Sequence, residues 1–271
     1  MTPKIIYMTN IDRRYFMMRR ALDELIADGE MPASSQVIKT EDGSVWSASW
    51  EEKLRGSALV MIRFMGNTIR TKFWTACMHF LSREGIPYYI DAAGSAEEEC
   101  IERVAVKDIE AMKAYSFYGG LTNYKNLWLY ARSLFDQGMP DAESPSPICW
   151  AGIYHPGMAK KFMTDLSLYE KMFLQAGRPT LGLLFYRDEW IWDDLHYQKA
   201  FIEEAERQGL NVIAVFTNGL PDPKLGMPTI REVFEKYFMK EGKPLVDVIV
   251  NVMKFSFTTS GSMSIKALEE M

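Results

Sequence analysis

The sequence predicts an α/β chain of two Rossmann-like, flavodoxin-like parallel-sheet units joined by a helical segment. Short apolar runs near residues 4–9, 58–64, 87–90, 181–186 and 212–216 alternate with stretches of helical spacing. That rhythm belongs to parallel strands with crossover helices. Arg178 to Gly219 alone reads as a complete strand–helix–strand unit, and in such units ligands gather at the carboxyl ends of the strands.

Taken in order, Lys4 to Thr9 is a strand and Arg13 to Ala27 a helix, with Phe16, Met17, Leu22, Leu25 and Ile26 at helical spacing. Gln36 to Lys39 is a short strand. Ser49 and Glu52 form a capping-box pattern that opens a helix to Leu54. Ala58 to Phe64 is a buried strand, Thr71 to Arg83 a helix stopped at Gly85, and Pro87 to Ile90 a further strand. Ser95 and Glu98 repeat the capping pattern, opening a helix with Ile101, Val104, Ile109 and Met112 on its buried face. Tyr124 to Phe135 is the next helix.

Gly138 to Pro147, GMPDAESPSP, is rich in Pro, Ser and acid and reads as a linker. The expected organisation is therefore an N-terminal α/β domain with trailing helices over 1–137, a linker at 138–147, and a second α/β domain over 148–271. In that second domain Met158 to Gln175 is expected to be helical, and Leu181 to Tyr186 a buried strand. A helix follows, with Gly209 at its C-terminal cap, and then a strand from Val212 to Phe216. Leu220 to Pro228 is a loop at a strand's carboxyl end, Thr229 and Glu232 cap another helix, and Val246 to Val252 is a strand. Ser262 to Met271 starts an amphipathic helix and stops without a cap, so the second unit is expected to be truncated.

At 271 residues the chain is long enough to bury a real core. Its 48% apolar and 25% charged content is that of a folded protein, and a net charge of −5 argues against nucleic acid as a partner. No apolar stretch reaches the roughly 18–20 residues that span a bilayer. Charge follows rather than precedes the first short apolar run, the wrong layout for a signal peptide, so a cytoplasmic location is expected. Cys77, Cys100 and Cys149 are widely spaced without a CxxC and read as reduced thiols. The 18 Met residues suit core filling, with an apolar binding surface as the other use.

Several residues could carry chemistry. His155 lies in GIYHP; an imidazole can ligate a metal or move a proton near neutral pH, or simply bond to loop backbone. His79 and His196 sit on helix patterns beside aromatics and read as structural, as do Trp74, Trp128 and Trp150. Gly119 and Gly120 in GGLTN either let a ligand approach the backbone or break one helix from the next, with Asn123 beside them. Tyr186, Arg187 and Trp190 put an aromatic-flanked cation at a strand's carboxyl end. Arg187 there either binds an anionic ligand or pairs with Asp188 or Glu189 on the surface. Asp193 and Asp194 read as acids at a helix start, favoured by its dipole. No two His, Cys or acidic residues share a metal-ligand spacing, and neither GxxxxGK[ST] nor a post-strand GxGxxG is present.

Three stretches in register add a resemblance: YGGLTNYKNLWLYARSLF (Tyr118 to Phe135), AGIYHPGMAKKF (Ala151 to Phe162) followed by Tyr169, and GLLFYR with the segment through FTNGL. They are similar to the N-terminal region of large tetrapyrrole chelatase subunits, the cobaltochelatase large subunit and the magnesium chelatase H subunit. That resemblance implies ATP-dependent insertion of a divalent metal into a tetrapyrrole ring, with ATP hydrolysed on AAA-type ATPase partner subunits. Cobalt (Co2+) into a corrin precursor of the hydrogenobyrinic acid a,c-diamide type, in cobalamin biosynthesis, is the nearer version. Magnesium (Mg2+) into protoporphyrin IX is the alternative. The metal is then substrate, no cofactor is held by this segment, and the catalytic groups lie elsewhere. Such substrates carry carboxylates around a flat ring, which would suit Arg187 as a guanidinium fork and Tyr186 and Trp190 as flat neighbours. The resemblance carries His155 as well, with Tyr154 and Pro156. A non-catalytic small-molecule binding module of two α/β halves competes with this reading. A nucleotide-sugar transferase would need a DxD motif that is not evident.

Overall fold

The computed structural model describes residues 3–253 except 42, 66–70, 94–100, 137, 139–141, 159–161, 220 and 224. The chain divides into two compact units, Met1–Ile148 and Cys149–Met271. Both are mixed α/β units built on mainly parallel sheets.

The first unit runs β1 (Ile5–Thr9), α1 (Asp12–Ala27), β2 (Gln36–Lys39), α2 (Ala48–Leu54), β3 (Leu59–Met65), α3 (Lys72–Glu84), β4 (Tyr88–Ala93), β5 (Ile101–Glu102), α4 (Val106–Tyr118) and α5 (Leu121–Ser133). Its sheet has the order β2-β1-β3-β4-β5, parallel except for β5. The chain steps from β1 out to β2 and then back across to β3, so the flavodoxin-like order reverses between β1 and β3. One sheet face carries Ile6, Met8, Val60, Ile62, Phe64 and Ile90, packed on Leu54, Phe73, Trp74, Cys77 and Phe80 of α2 and α3. Alternation along the strands sends Tyr7, Thr9, Arg63 and Asp91 to the other face.

Local signals place most of these elements. Thr71 accepts the Trp74 amide at 3.4 Å to open α3, and left-handed Gly85 (φ 70°) closes it. The capping box expected at Ser49 and Glu52 does not form. Helix α2 begins at Ala48, and the Ser49 hydroxyl sits 2.8 Å from that of Ser47 instead of on a backbone amide. The pattern expected at Ser95 and Glu98 lies outside the described residues. Ile101 belongs to β5, antiparallel to β4, and Val104 precedes α4, so neither lies on the helix face expected of them. Ile109 and Met112 do.

The second unit runs β6 (Ala151–Tyr154), α6 (Leu166–Phe173), β7 (Thr180–Tyr186), α7 (Arg187–Ile191), α8 (His196–Arg207), β8 (Asn211–Thr217), α9 (Ile230–Tyr237), β9 (Met239–Lys240), β10 (Lys243–Pro244) and β11 (Val248–Asn251). Its main sheet has the order β11-β7-β8-β6, with β7, β8 and β11 parallel and β6 antiparallel. Ile153, Leu184, Ile213 and Val215 meet Tyr169, Val233, Phe234 and Tyr237 in its core.

Here too the backbone corrects local expectations. Of the helix expected over 158–175, the described residues show α6 alone as helical. Met163 exchanges both backbone hydrogen bonds with Ile153 (2.8 and 2.9 Å), which commits it to a bridge, and Asp165 then caps the helix by accepting the Leu168 amide at 3.0 Å. The helix expected after Tyr186 is split into α7 and α8 by a turn in which Asp193 adopts φ 59°. Asp193 and Asp194 therefore precede α8 rather than open it. Gly209 (φ 81°) does follow α8, and Leu210 bonds back to Ala205 at 3.0 Å. Thr229 and Glu232 form the expected capping box. The helix expected at 262–271 lies outside the described residues. Among the described residues no helix is long and apolar enough to cross a membrane.

Candidate functional site

The candidate site of the second unit is the carboxyl edge of β7 and β8. In the β11-β7-β8 order, β7 leads to β8 on one side and β11 returns on the other, so the edge of β7 is where the connections diverge. Tyr186 ends β7, half-buried, opposite Thr217 at the end of β8. Arg187 begins α7 with 1% of its surface exposed. Its Nε donates to the carbonyl of Cys149 at 2.7 Å, and its guanidinium lies 4.2 Å from the centre of the Trp150 ring. Arg187 is thus a buried cation stacked on an indole rather than a surface group.

Trp190 is also committed. Its ring lies flat on Phe216 (4.2 Å between centroids, 3° between planes), and Phe162 meets it edge-on at 5.0 Å. Glu189, read from the sequence as surface acid, is buried, and its carboxylate accepts from the Tyr197 hydroxyl at 2.6 Å and from Gln198 Nε2 at 2.7 Å. The buried Thr217 hydroxyl at the same edge has no hydrogen-bond partner among the described residues. The Leu220 to Pro228 loop is tied down here by the Trp150 indole donating to the Leu225 carbonyl at 2.9 Å.

His155 lies elsewhere. Because β6 runs antiparallel, Ala151 pairs with Thr217 at the carboxyl edge while Tyr154 pairs with Ala214, about 10 Å toward the opposite edge at the usual strand rise. His155 follows Tyr154, away from Tyr186, Arg187 and Trp190. Its Nδ1 accepts the Gly157 amide at 3.0 Å, which puts the proton on Nε2, 2.9 Å from Glu206 Oε1. Its ring packs 4.1 Å from that of Phe173. Tyr169 nearby donates to the Val212 carbonyl at 2.7 Å, and burial, reinforced by Glu206, pushes its hydroxyl pKa up. Burial first, then Asp193 and Glu203, also raises Tyr154.

Gly119, Gly120 and Asn123 belong to the first unit. Gly119 (φ 71°) caps the end of α4 and Gly120 (φ 84°) opens α5, so the two glycines separate the helices. Asn123 Nδ2 donates to the carbonyls of Gly119 (2.8 Å) and Ser146 (2.9 Å), while its Oδ1 accepts the Ser146 amide at 2.9 Å. The expected linker is thereby held against α5 at Ser146, and again where the Glu143 amide donates to Asn126.

Sequence reasoning missed Glu206, Phe216 and the inward turn of Glu189. Glu206 lies 51 residues from its histidine, beyond any local pattern. Among the described residues no group of three or more His, Cys, Asp or Glu is placed to hold a metal ion.

Comparison with known proteins bears on this arrangement. An uncharacterized protein of Methanocaldococcus jannaschii is 35% identical over 157 residues, 56% of this chain and 12% of its own. The aerobic cobaltochelatase subunit CobN of Sinorhizobium sp is 27% identical over 168 residues, covering 60% of this chain and 12% of that protein. The magnesium-chelatase H subunit of Cereibacter sphaeroides is 29% identical over 115 residues, 42% of this chain and 9% of that protein. The chain thus spans about an eighth or less of the length of these relatives. Among solved structures, the catalytic subunit of cobaltochelatase from Mycobacterium tuberculosis aligns over 87% of this chain and 18% of its own, at 15% identity and a TM-score of 0.49. A family model described as CobN/Magnesium Chelatase matches residues 113–270 of the 271, and the chain belongs to that family.

Proposed function

We propose that this chain is a segment of the large subunit of a cobalt-type tetrapyrrole chelatase, one that inserts Co2+ as substrate into a corrin precursor of the hydrogenobyrinic acid a,c-diamide type. The family match over 113–270 supports the chelatase reading. The observation that carries the cobalt reading is the alignment with the cobaltochelatase subunit, which extends over 60% of this chain against 42% for the magnesium subunit. ATP would be hydrolysed on AAA-type partner subunits in a cytoplasmic complex. Magnesium insertion into protoporphyrin IX is the second reading, favoured by the slightly higher identity, 29%, over the shorter alignment.

Metal insertion needs a ring held while its pyrrole protons leave and the ion sheds water, hence a base and a set of relays. No such set gathers among the described residues, so this segment's part is scaffold and one wall of the ring cleft. Tyr186 is the contact we assign at the carboxyl edge of the second sheet. Arg187 supplies positive charge there toward ring carboxylates, and the Trp190–Phe216 stack positions the strand-to-helix turn.

The test is a titration of the folded chain with metal-free corrin and, separately, protoporphyrin IX, read by the ring absorption bands. A saturable shift with the corrin alone, weakened by Tyr186→Ala, is expected. A shift with the porphyrin alone would favour magnesium. No shift with either would remove this segment from the cleft.

A further inference from the structure

The first unit carries a buried polar cluster that its fold does not use. Tyr7 of β1, Arg63 of β3 and Asp91 of β4 share one sheet face, since Thr9 pairs with Arg63 and Arg63 with Asp91 in register. Ser116 of α4 lies beside Tyr7, near enough for the two hydroxyls to interact. Arg63 Nη1 donates to Asp91, and the guanidinium lies 5.1 Å from the centre of the Phe117 ring. Arg14 donates to the Ser116 carbonyl at 3.1 Å, adding a second cation beside the cluster. Yet the Tyr7 hydroxyl, the Arg63 Nε and the Ser116 hydroxyl, all buried, lack a well-formed hydrogen bond among the described residues. They come from three separate elements.

Buried donors are nearly always satisfied, and leaving three unsatisfied together is costly. Two guanidinium groups, Arg63 and Arg14, thus stand near one carboxylate, Asp91, among the described residues. Arg63 and Asp91 keep 9% and 7% of their surfaces exposed, so the cluster is not sealed. Its strands are those between which the sheet order reverses, where open α/β sheets take their ligands. Burial raises the Tyr7 hydroxyl pKa against the lowering pulls of Arg14, Arg63 and the Ser116 hydroxyl, with Asp91 adding to the rise, so it remains a donor at neutral pH.

We propose that Tyr7, Arg63 and Ser116 form a binding site for a single oxyanion, a carboxylate or a phosphate group. The two hydroxyls and the Arg63 Nε supply three convergent donors, and Asp91 holds the guanidinium in place. The site lies largely before residue 113, where the family match begins, and the inference stands independently of the proposed chelatase role.

The experiment is a titration of the full chain with inorganic phosphate and with acetate, against sodium chloride at equal ionic strength, reading the thermal midpoint and isothermal heat. A saturable rise with at least one of the two anions is expected. Tyr7→Phe and Ser116→Ala each remove a donor at nearly constant shape, and each should weaken that binding about tenfold, the scale of one hydrogen bond to a charged group. Binding of phosphate alone identifies a phosphate source, and of acetate alone a carboxylate source; either supports the site. No saturable effect from either anion would mean that the cluster holds water only. Binding unchanged in both variants would place the anion elsewhere. Either result overturns the proposal. Should Tyr7→Phe not fold by circular dichroism, Ser116→Ala alone decides.

Discussion

Nε2 of His155 lies 2.9 Å from Oε1 of Glu206, and its Nδ1 accepts the Gly157 amide at 3.0 Å. Both ring nitrogens are therefore used, one to shape the turn after β6 and one to tie that turn to the end of α8. A double-mutant cycle with His155→Ala and Glu206→Ala should return a coupling of about 1 kcal/mol in urea unfolding, below the usual range for a charged hydrogen bond because the Glu206 side chain is 35% exposed. A coupling near zero would mean that the contact is not formed in solution and that the imidazole is available to a ligand.

Trp190 faces Phe216 with an angle of 3° between their rings. A face already covered cannot also cover a tetrapyrrole. Trp190→Phe should thus leave any ring titration unchanged, whereas Trp190→Ala should destabilise the chain by about 3–5 kcal/mol in the same unfolding assay. Weaker ring binding by Trp190→Phe at unchanged stability would make Trp190 a contact rather than a support.

Much of this fold is legible because its signals are local. The apolar runs that become β1 and β8 are fully buried strands and that of β7 is mostly buried, and Thr229 with Glu232 and the Gly119–Gly120 pair are read from a few adjacent residues. What escapes depends on distant partners. Strand β6 is only AGIY, and its direction is set by pairing with β8 more than fifty residues later. That direction decides which sheet edge receives His155. The Met163–Ile153 bridge similarly overrides a helical pattern that looks continuous in sequence. Arg187 and Glu189 resemble surface charge because nothing local announces that Cys149, Trp150, Tyr197 and Gln198 will enclose them.

Asn123 makes three hydrogen bonds, two that tie the start of α5 to Ser146 and one to the Gly119 carbonyl. Asn123→Ala should cost about 2–3 kcal/mol, since buried backbone groups lose their partners, and should speed proteolysis within 138–147. Asn123→Asp is the sharper test. It preserves shape but turns a donor into an acceptor facing two carbonyl oxygens, so it should be at least as destabilising as alanine. A milder effect for aspartate would mean that the side chain does not face those carbonyls.

Cys77 is fully buried in the core of the first unit, and burial pushes its thiol up to about 12, while Cys149 is only partly buried, its thiol donating to the Ala151 carbonyl at 2.9 Å. Alkylation follows the accessible thiolate. Peptide mapping after iodoacetamide treatment of the native chain at pH 8 should find Cys149 modified about a hundredfold faster than Cys77, or more. The same shift has a thermodynamic side. The folded pKa lies above that of an unfolded cysteine, about 8.5, so the native state keeps its proton after the unfolded chain has lost it. The resulting stability is complete below pH 8.5 and is lost as pH rises toward 12, by at most about 1.4 kcal/mol per pH unit for one proton. Cys77→Ala should flatten the alkaline fall in urea stability between pH 9 and 11 relative to the unmodified chain. An identical slope in both proteins would show that Cys77 ionises alike folded and unfolded, and that the core around Phe73 and Phe80 admits water.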